Sequence, residues 1–394
     1  QLLSSIEVQY PPTMARLVLC SLINRQRPAL PKRCFFQSEF ARNNSIPYCF
    51  SSFSSTPSSG EPPAPKNNGA SSLSSEDPPK IKNYDNPLST MIKSEQLDAA
   101  TRAMGQVIFL NSRDSGRVIF VSLALGDPTL AACAALGSFT ATSTSKFIGL
   151  DEKARKDGLL GYNGALVGCA ASVFGPSYLP YMVASTLLGA AATPVLSASL
   201  KSALSQPQWT WSFNIVALTS LLRTRPLLES ADGEVVSTSS GLGDLALSPL
   251  IGISQIFVVN SPLTGAGIVA AIYNYSPKLA VHALGGSAIG CLAGVLSGAD
   301  ISDVCIGLWG YNSALASMAV GTFFVHSRHT MVLSASSAAA SAALFGAMQP
   351  LFGAYGVPCL TLPFCSVASA CYLLEGHIPG LKLATEPHSP EKNA

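Results

Sequence analysis

Long apolar runs separated by short polar stretches dominate the chain from about residue 97 onward. The runs have about the length, roughly 20 residues, that a helix needs to cross the hydrocarbon core of a membrane. They occupy residues 104–124, 128–148, 158–175, 178–200, 208–222, 249–273, 277–298, 304–327, 329–350 and 356–374. Soluble core helices do not continue this far without charged residues, so the pattern predicts an all-α polytopic membrane protein with about ten transmembrane helices.

A nine-residue motif occurs twice and divides these runs into two related sets. Residues 158–166 read GLLGYNGAL and residues 307–315 read GLWGYNSAL, which is seven identities in nine positions at an offset of 149. Two further pairs keep the same order: residues 106–116 with 255–265, and residues 207–214 with 358–365. Three ordered pairs at a nearly constant offset indicate that the membrane part consists of two repeats.

Five runs fall on each side of a polar stretch near residues 223–245. An odd number of spans in each repeat forces the two copies into opposite orientations, which predicts two inverted five-helix repeats. The predicted organisation is a disordered Ser/Pro-rich tail (1–95), a first membrane repeat (96–225), a polar linker (226–246), a second membrane repeat (247–376) and a C-terminal tail (377–394).

Composition narrows the class of function. Only 12% of the residues are charged, against about 25% in ordinary soluble proteins, and a net charge of +2 offers no basic patch for nucleic acid. The cysteines of the membrane part are interpreted as small buried hydrophobes, because they lack the paired spacings of a zinc site. No catalytic constellation, nucleotide-binding loop, metal site or cofactor motif is found, so the chain is not predicted to be an enzyme.

Polar side chains that do not ionise recur inside the repeated motifs. A buried polar group without a partner is costly in hydrocarbon, so each needs a hydrogen bond or a wet cavity. Asn163 and Asn312 are interpreted as helix-to-helix hydrogen-bonding residues, the common role of Asn in membranes. A pore-lining role is predicted for four other residues that obey the repeat: Gln106, Gln255, Thr210 and Thr361. A narrow, uncharged, acceptor-lined cavity of this kind favours a conduit for a small neutral molecule.

Taken together, these motifs resemble the urea transporter family. The resemblance rests on GLxGYNxxL in both halves, QxxFxNxxxSG in the first, QxxxxNSPxTG in the second and TLPFC before the last run, and it covers residues 96–376. It implies short pore helices between the spanning helices, a homotrimer in a lipid bilayer, and passive conduction of urea through a slot-shaped pore in each protomer.

The resemblance also assigns the pore residues. Gln106 and Gln255 would stand at the two pore helices, and Thr210 and Thr361 would place hydroxyls at the middle. The walls of the two slots would be Phe109, Tyr162 and Leu166 on one side, and Val258, Tyr311 and Leu315 on the other.

Two departures from exact repetition bear on selectivity. Arg113 and Asp114 stand where the second half has Pro262 and Leu263, so a charged pair is expected near one mouth, and Val258 replaces the aromatic ring of Phe109. The alternatives are therefore a channel for ammonia, water or small amides on the same plan, and a membrane scaffold that transports nothing.

The N-terminal tail bears on the choice of membrane. The stretch from Met14 to Ile46 contains six Arg and Lys residues against one acid, Glu39, a composition typical of an organelle transit peptide. A solvated tail on a protein of the cell membrane is the other interpretation, and the cell membrane is the expected location.

Overall fold

A computed structural model describes residues 87–228 and 242–393. The predicted disordered tail lies outside these residues up to position 86, as does most of the predicted linker, at 229–241. The helices are α1 (Pro87–Gln106), α2 (Arg113–Gly126), α3 (Pro128–Phe147), α4 (Glu152–Lys156), α5 (Tyr162–Phe174), α6 (Leu179–Ala203), α7 (Trp211–Leu228), α8 (Leu242–Gln255), α9 (Pro262–Tyr275), α10 (Pro277–Leu296), α11 (Ile301–Cys305), α12 (Tyr311–Phe323), α13 (Arg328–Gly353) and α14 (Leu362–Tyr372). Within the described ranges the regular structure is helical, with one isolated β-bridge between Phe324 and Leu383.

Helices α1–α7 and α8–α14 follow one another in the same order, and α2–α6 match α9–α13 in length to within one residue. Helices α2 to α6 each begin 149 residues before their counterparts α9 to α13, for example 262 − 113 and 311 − 162, and α14 begins 151 residues after α7. The sequence motifs therefore mark a repeat that extends through every helix of the described chain.

Two apolar runs that read as continuous in the sequence are each divided between two helices. Run 104–124 contains the end of α1 and the start of α2, and run 249–273 contains the end of α8 and the start of α9. The hydroxyls of Ser112 and Ser261 accept hydrogen bonds from the N–H groups of Ser115 and Thr264 and so begin the second helix of each pair. The intervening turns are themselves apolar, which is why hydrophobicity alone did not reveal the breaks.

Three of the described helices are long and apolar enough to cross a membrane: α6, α10 and α13, with 25, 20 and 26 residues. Helices α5 and α14 are apolar but shorter. Large apolar side chains such as Leu188, Leu296 and Val332 are exposed on the long helices. Exposed apolar side chains in this number suit a lipid environment, and the chain is an integral membrane protein.

The two halves meet through α2 with α9 and through α7 with α14. In the first contact, the Thr264 hydroxyl donates to the Ser122 carbonyl oxygen at 3.1 Å. Within each half, small residues let helices approach closely: a Cβ added at Gly116 would lie 1.9 Å from the Thr101 oxygen, and one at Gly265 would lie 2.0 Å from the Leu250 oxygen. Close backbone packing of this kind holds membrane helices together where apolar burial cannot.

Candidate functional site

Each copy of the repeated motif begins with a glycine in a left-handed turn. Gly158 and Gly307 have φ of 79° and 78°, a conformation that glycine adopts at little cost. A Cβ at these positions would lie 2.5 Å from the backbone nitrogens of Ala103 and Gly252, in the helices α1 and α8. The glycines thus let the motif cross tightly over the first helix of its half.

A tyrosine follows four residues later as the first residue of a helix. The Tyr162 hydroxyl donates to the carbonyl oxygen of Trp209, and the Tyr311 hydroxyl donates to the carbonyl oxygen of Leu360 at 2.7 Å. Trp209 and Leu360 occupy equivalent positions of the two repeats, offset by 151. Each tyrosine therefore fixes the turn that precedes the last helix of its own half.

Strained backbone occurs in those turns and in the turns that follow α1 and α8. The non-glycine residues with positive φ in the described part of the chain are Phe109 (66°), Trp209 (45°), Val258 (62°) and Leu360 (50°). Such residues cost about 1–3 kcal/mol each and persist where the surrounding structure enforces them, often at functional sites. They form two repeat-related pairs, Phe109 with Val258 and Trp209 with Leu360, so the same strain is built into both halves.

The two glutamines predicted to line a pore, Gln106 and Gln255, each donate a hydrogen bond to a backbone carbonyl oxygen. The side-chain amide of Gln106 donates to the Asp157 carbonyl oxygen at 2.7 Å, and that of Gln255 donates to the Ile306 carbonyl oxygen at 2.8 Å. Asp157 and Ile306 immediately precede the two copies of the motif. Each glutamine therefore ties the end of α1 or α8 to the start of the motif in its half.

The two asparagines of the motif hold helices together, as the sequence predicted. Asn163 accepts a hydrogen bond from the Phe213 N–H at 3.3 Å, and Asn312 accepts one from the Phe364 N–H at 3.2 Å. These bonds join α5 to α7 and α12 to α14 and satisfy backbone donors in the first turn of the last helix of each half.

Thr210 and Thr361 meet where the halves meet. Their hydroxyl oxygens are 2.7 Å apart, and both residues are buried. Asn214 completes the contact: its amide nitrogen donates to the Thr361 hydroxyl at 2.9 Å, and its oxygen accepts from the Thr361 N–H at 3.1 Å. Cys365 is the repeat counterpart of Asn214 and lies 3.1 Å from the Thr210 hydroxyl. The centre is thus a compact, uncharged polar cluster.

A cavity of about 920 Å³ leads towards this centre from the first-half side. Of the predicted site residues, Gln106, Phe109, Tyr162 and Thr210 line it together. Cavities of this size hold drug-sized ligands, so it is far larger than one small neutral molecule and has the dimensions of a vestibule.

The other six predicted residues do not line this cavity: Leu166, Gln255, Val258, Tyr311, Leu315 and Thr361. Thr361 lies directly behind Thr210 at the centre. Leu166 and Leu315 are almost wholly buried in the main apolar core, one helical turn after Tyr162 and Tyr311. Gln255, Val258 and Tyr311 are the second-half counterparts of Gln106, Phe109 and Tyr162.

An aromatic cluster at the inner end of the cavity was not predicted as a unit. Trp209 packs edge-to-face on Phe323 and Phe364, with ring centroids 5.0 and 5.8 Å apart, and Phe109 contacts all three of these rings at 6.1–6.4 Å. Tyr372 joins Trp209 and Phe323 at 6.3 and 6.2 Å. The rings come from four separate segments, so only the fold brings them together, although Trp209 could have been found from its place beside Thr210 in the repeated motif.

Charged groups lie at the outer end of the cavity and beyond it. Asp151 and Asp157 line the cavity wall on either side of α4. Within α4, Glu152 and Lys156 form an ion pair at 2.7 Å. The hydrogen bond between them lowers the pKa of Glu152 and raises the pKa of Lys156.

Arg113 and Asp114, the charged pair expected near one mouth, lie away from the cavity and pair with other residues. Arg113 pairs with Asp98 at 3.4 Å, Asp114 pairs with Arg117 at 3.0 Å, and neither Arg113 nor Asp114 is among the residues lining the cavity. The capture of substrate by this pair, which the sequence suggested, therefore has no support in the cavity described here.

Comparison with known proteins agrees with the family resemblance of the sequence motifs. The family described as "Urea transporter" matches residues 97–376. Urea transporter 1 of Mus musculus and that of Rattus norvegicus are both 31% identical to the chain over 294 residues, which cover 71% of this chain and 76% of each relative. Urea transporter 1 of Ovis aries is 30% identical with the same coverage.

Proposed function

This chain belongs to the urea transporter family and carries urea passively across a membrane, and from that premise we propose a route for urea through each protomer. The route begins in the vestibule, passes between Phe109 and Tyr162, crosses the centre at Thr210 and Thr361, and leaves between Val258 and Tyr311. Family membership favours urea transport over an ammonia or water channel and over a scaffold. The chain is a transporter and not an enzyme.

The observation that carries this proposal is the meeting of Thr210 and Thr361, with hydroxyl oxygens 2.7 Å apart. Each threonine stands in the same repeated element, next to a strained carbonyl that a tyrosine hydroxyl holds in place. A route built from two equivalent halves should have its midpoint where equivalent residues touch. Substrate sites in repeat transporters characteristically lie at that interface.

Unpaired backbone carbonyls offer acceptors for urea on both sides of the centre. In the turn after α1, the carbonyls of residues 107–109 accept no backbone hydrogen bond from the residues that the structure describes, and the same is true of residues 256–258 after α8. Irregular backbone at membrane depth is tolerable where it lines a cavity. Urea is planar, so flat side chains can contact its faces while its in-plane N–H groups donate to these oxygens. Ions fail because such a route does not replace their hydration.

Behind the tyrosines, Leu166 and Leu315 support the walls of the two slots. Each lies four residues after its tyrosine and therefore on the same face of its helix. Gln106 and Gln255 set the ends of the pore turns through their bonds to the Asp157 and Ile306 carbonyl oxygens.

The larger architecture follows the same proposal. Ten spanning helices would form two inverted five-helix repeats, with the broken segments serving as pore helices, and three protomers would assemble in the lipid bilayer. The exposed apolar side chains of α6 and α10 support contacts with lipid or a neighbouring protomer. Light scattering of the purified protein in detergent should give the mass of a trimer, and a monomer mass would contradict the assembly.

The membrane is proposed to be the cell membrane, with an organelle membrane as the alternative that residues 14–46 suggest. A fluorescent fusion that retains those residues should label the cell surface. Labelling of an organelle that disappears when the residues are deleted would decide for the alternative.

The route is tested with Thr361→Val, which removes the hydroxyl at nearly constant volume. Purified protein in liposomes is mixed with an inward urea gradient, and vesicle swelling is followed by light scattering. Urea permeability should fall by about tenfold if the transition state loses one hydrogen bond worth about 1.4 kcal/mol.

Thr219→Val provides the matched control. Thr219 is an exposed threonine on the same helix as Asn214, and its hydroxyl donates to the Ile215 carbonyl oxygen within that helix. Its permeability should equal that of the unmodified protein. Equal permeability of the two variants would contradict the assigned centre, and no permeability above empty vesicles in the unmodified protein would contradict urea transport itself.

A further inference from the structure

The C-terminal segment beyond the family match returns to the cavity. The match ends at residue 376, and residues 377–393, here called the strap, continue past α14. The Val325 N–H donates to the Lys382 carbonyl oxygen and the Ala384 N–H donates to the Phe323 carbonyl oxygen, both at 2.9 Å. This short antiparallel pairing directs the strap along the end of α12.

The strap then reaches the cavity with two of its residues. Pro387 and His388 line the cavity beside Tyr275 and Phe323. The His388 ring stacks on Tyr275 with centroids 5.2 Å apart and an angle of 3° between the planes, and one of its nitrogens is 3.0 Å from the Tyr275 hydroxyl. The strap therefore contributes a side chain to the vestibule through which we propose that urea passes.

Two polar residues fasten the far end of the strap. Glu391 accepts a hydrogen bond from the Ser276 hydroxyl at 2.5 Å and another from the Lys278 N–H at 2.7 Å. These donors are the N-cap residue and a first-turn amide of α10, where the helix dipole favours a carboxylate. Burial acts to raise the pKa of Glu391, but these hydrogen bonds outweigh it and lower that pKa overall.

Asn393 fastens the strap to the end of α12. Its amide nitrogen donates to the carbonyl oxygens of Thr322 at 2.7 Å and Phe324 at 3.2 Å. The last carbonyls of a helix lack intrahelical donors, so Asn393 satisfies groups that would otherwise need water. Ser389 and Asn393 are buried by this docking.

We propose that the strap is a closing element at the vestibule, which narrows the first mouth when docked and admits urea faster when released. Beyond its backbone pairing at residues 382 and 384, the strap is held by side chains, whereas the walls of the proposed route are backbone turns and rings held in the core. The strap can therefore leave without unfolding the rest of the site. This inference rests on the proposed route through the vestibule.

The test combines Glu391→Ala with Asn393→Ala, which removes the two side-chain anchors at the far end of the strap and leaves the lining residues intact. Hydrogen–deuterium exchange in the strap and at the Lys278 amide should accelerate, exchange in the interior turns of α10 and α12 should stay unchanged, and urea permeability in liposomes should rise about threefold or more. Glu386→Ala is the control, because Glu386 is an exposed residue of the same segment, and it should change neither measurement.

A second variant, His388→Ala, opens the vestibule while keeping both anchors. It should raise urea permeability without accelerating exchange in the strap. The proposal is overturned if strap exchange accelerates in the double variant while permeability stays the same or falls. It is equally overturned if the strap of the unmodified protein exchanges at the rate of an unstructured peptide. Failure of the urea route itself is distinguishable, because it would appear as Thr361→Val and Thr219→Val having equal permeability.

Discussion

The two mouths of the proposed route have the same backbone conformation but differ in their side chains. On the first-half side, five rings cluster: Phe109, Trp209, Phe323, Phe364 and Tyr372. The repeat-equivalent positions, at offsets of 149 or 151, are Val258, Leu360, Phe174, Phe213 and Leu221. Three of the five rings are thus replaced by aliphatic side chains.

The shared features are those that shape the backbone. Both halves keep the left-handed glycine, the tyrosine-to-carbonyl bond, the glutamine-to-carbonyl bond and the strained residue after the first helix. This comparison indicates that both halves need the strained turns, whereas the side chains that line each mouth can differ in size. We therefore expect substitutions at the rings to affect the two mouths unequally.

The largest expected effect separates Trp209 from its counterpart Leu360. Trp209 packs on four rings and donates to the Ser369 hydroxyl at 3.0 Å, so Trp209→Ala should lower the free energy of unfolding by about 3–5 kcal/mol. Leu360→Ala should cost about 2 kcal/mol, the lower end for a buried leucine. Circular dichroism during thermal unfolding in detergent measures both, and equal shifts in Tm would remove the difference between the mouths.

The next effect concerns the centre, where Asn214 and Cys365 are counterparts. Asn214→Ala leaves the buried Thr361 N–H without its acceptor and should destabilise the protein by about 1–3 kcal/mol. Cys365→Ala removes only weak thiol contacts and should cost less, about 0.5 kcal/mol. The same unfolding measurement compares them, and a larger loss for Cys365→Ala would contradict the role assigned to Asn214.

Exchanging the wall residues should change selectivity as well as stability. Phe109→Val gives the first mouth the residue of the second and removes three ring contacts, so it should also lower the free energy of unfolding. The smaller side chain leaves more room for methyl groups, so permeability to 1,3-dimethylurea relative to urea should rise about 2- to 10-fold, a barrier change of about 0.4–1.4 kcal/mol. Phe139→Val, an exposed phenylalanine on α3, is the control. An unchanged ratio in liposome swelling would mean that Phe109 does not limit the slot.

The smallest effect is expected at the charged residues that distinguish the first half. Arg113 is half exposed and pairs with Asp98 at 3.4 Å, and surface ion pairs contribute about 0–1 kcal/mol. Arg113→Ala should therefore leave urea permeability within about twofold of the unmodified protein at low and high salt. A larger change that disappears in high salt would restore the idea of electrostatic capture at this mouth.

The sequence by itself determined the class of the protein, the repeat and the family. Charge-free runs can be read without a structure because burying charge in hydrocarbon is costly, and a repeat is a property of the sequence. The roles of Asn163 and Asn312 were also accessible, since a buried amide needs a partner.

The breaks within runs 104–124 and 249–273, the ring cluster and the strap were decided only by the tertiary structure. Apolar turns are indistinguishable from apolar helices by hydrophobicity. Phe109, Trp209, Phe323 and Tyr372 are far apart in the chain, and contacts between such segments depend on how the helices pack. The strap has no apolar pattern that could predict its position. Its position depends on hydrogen bonds to helix ends that exist only after α10 and α12 have folded.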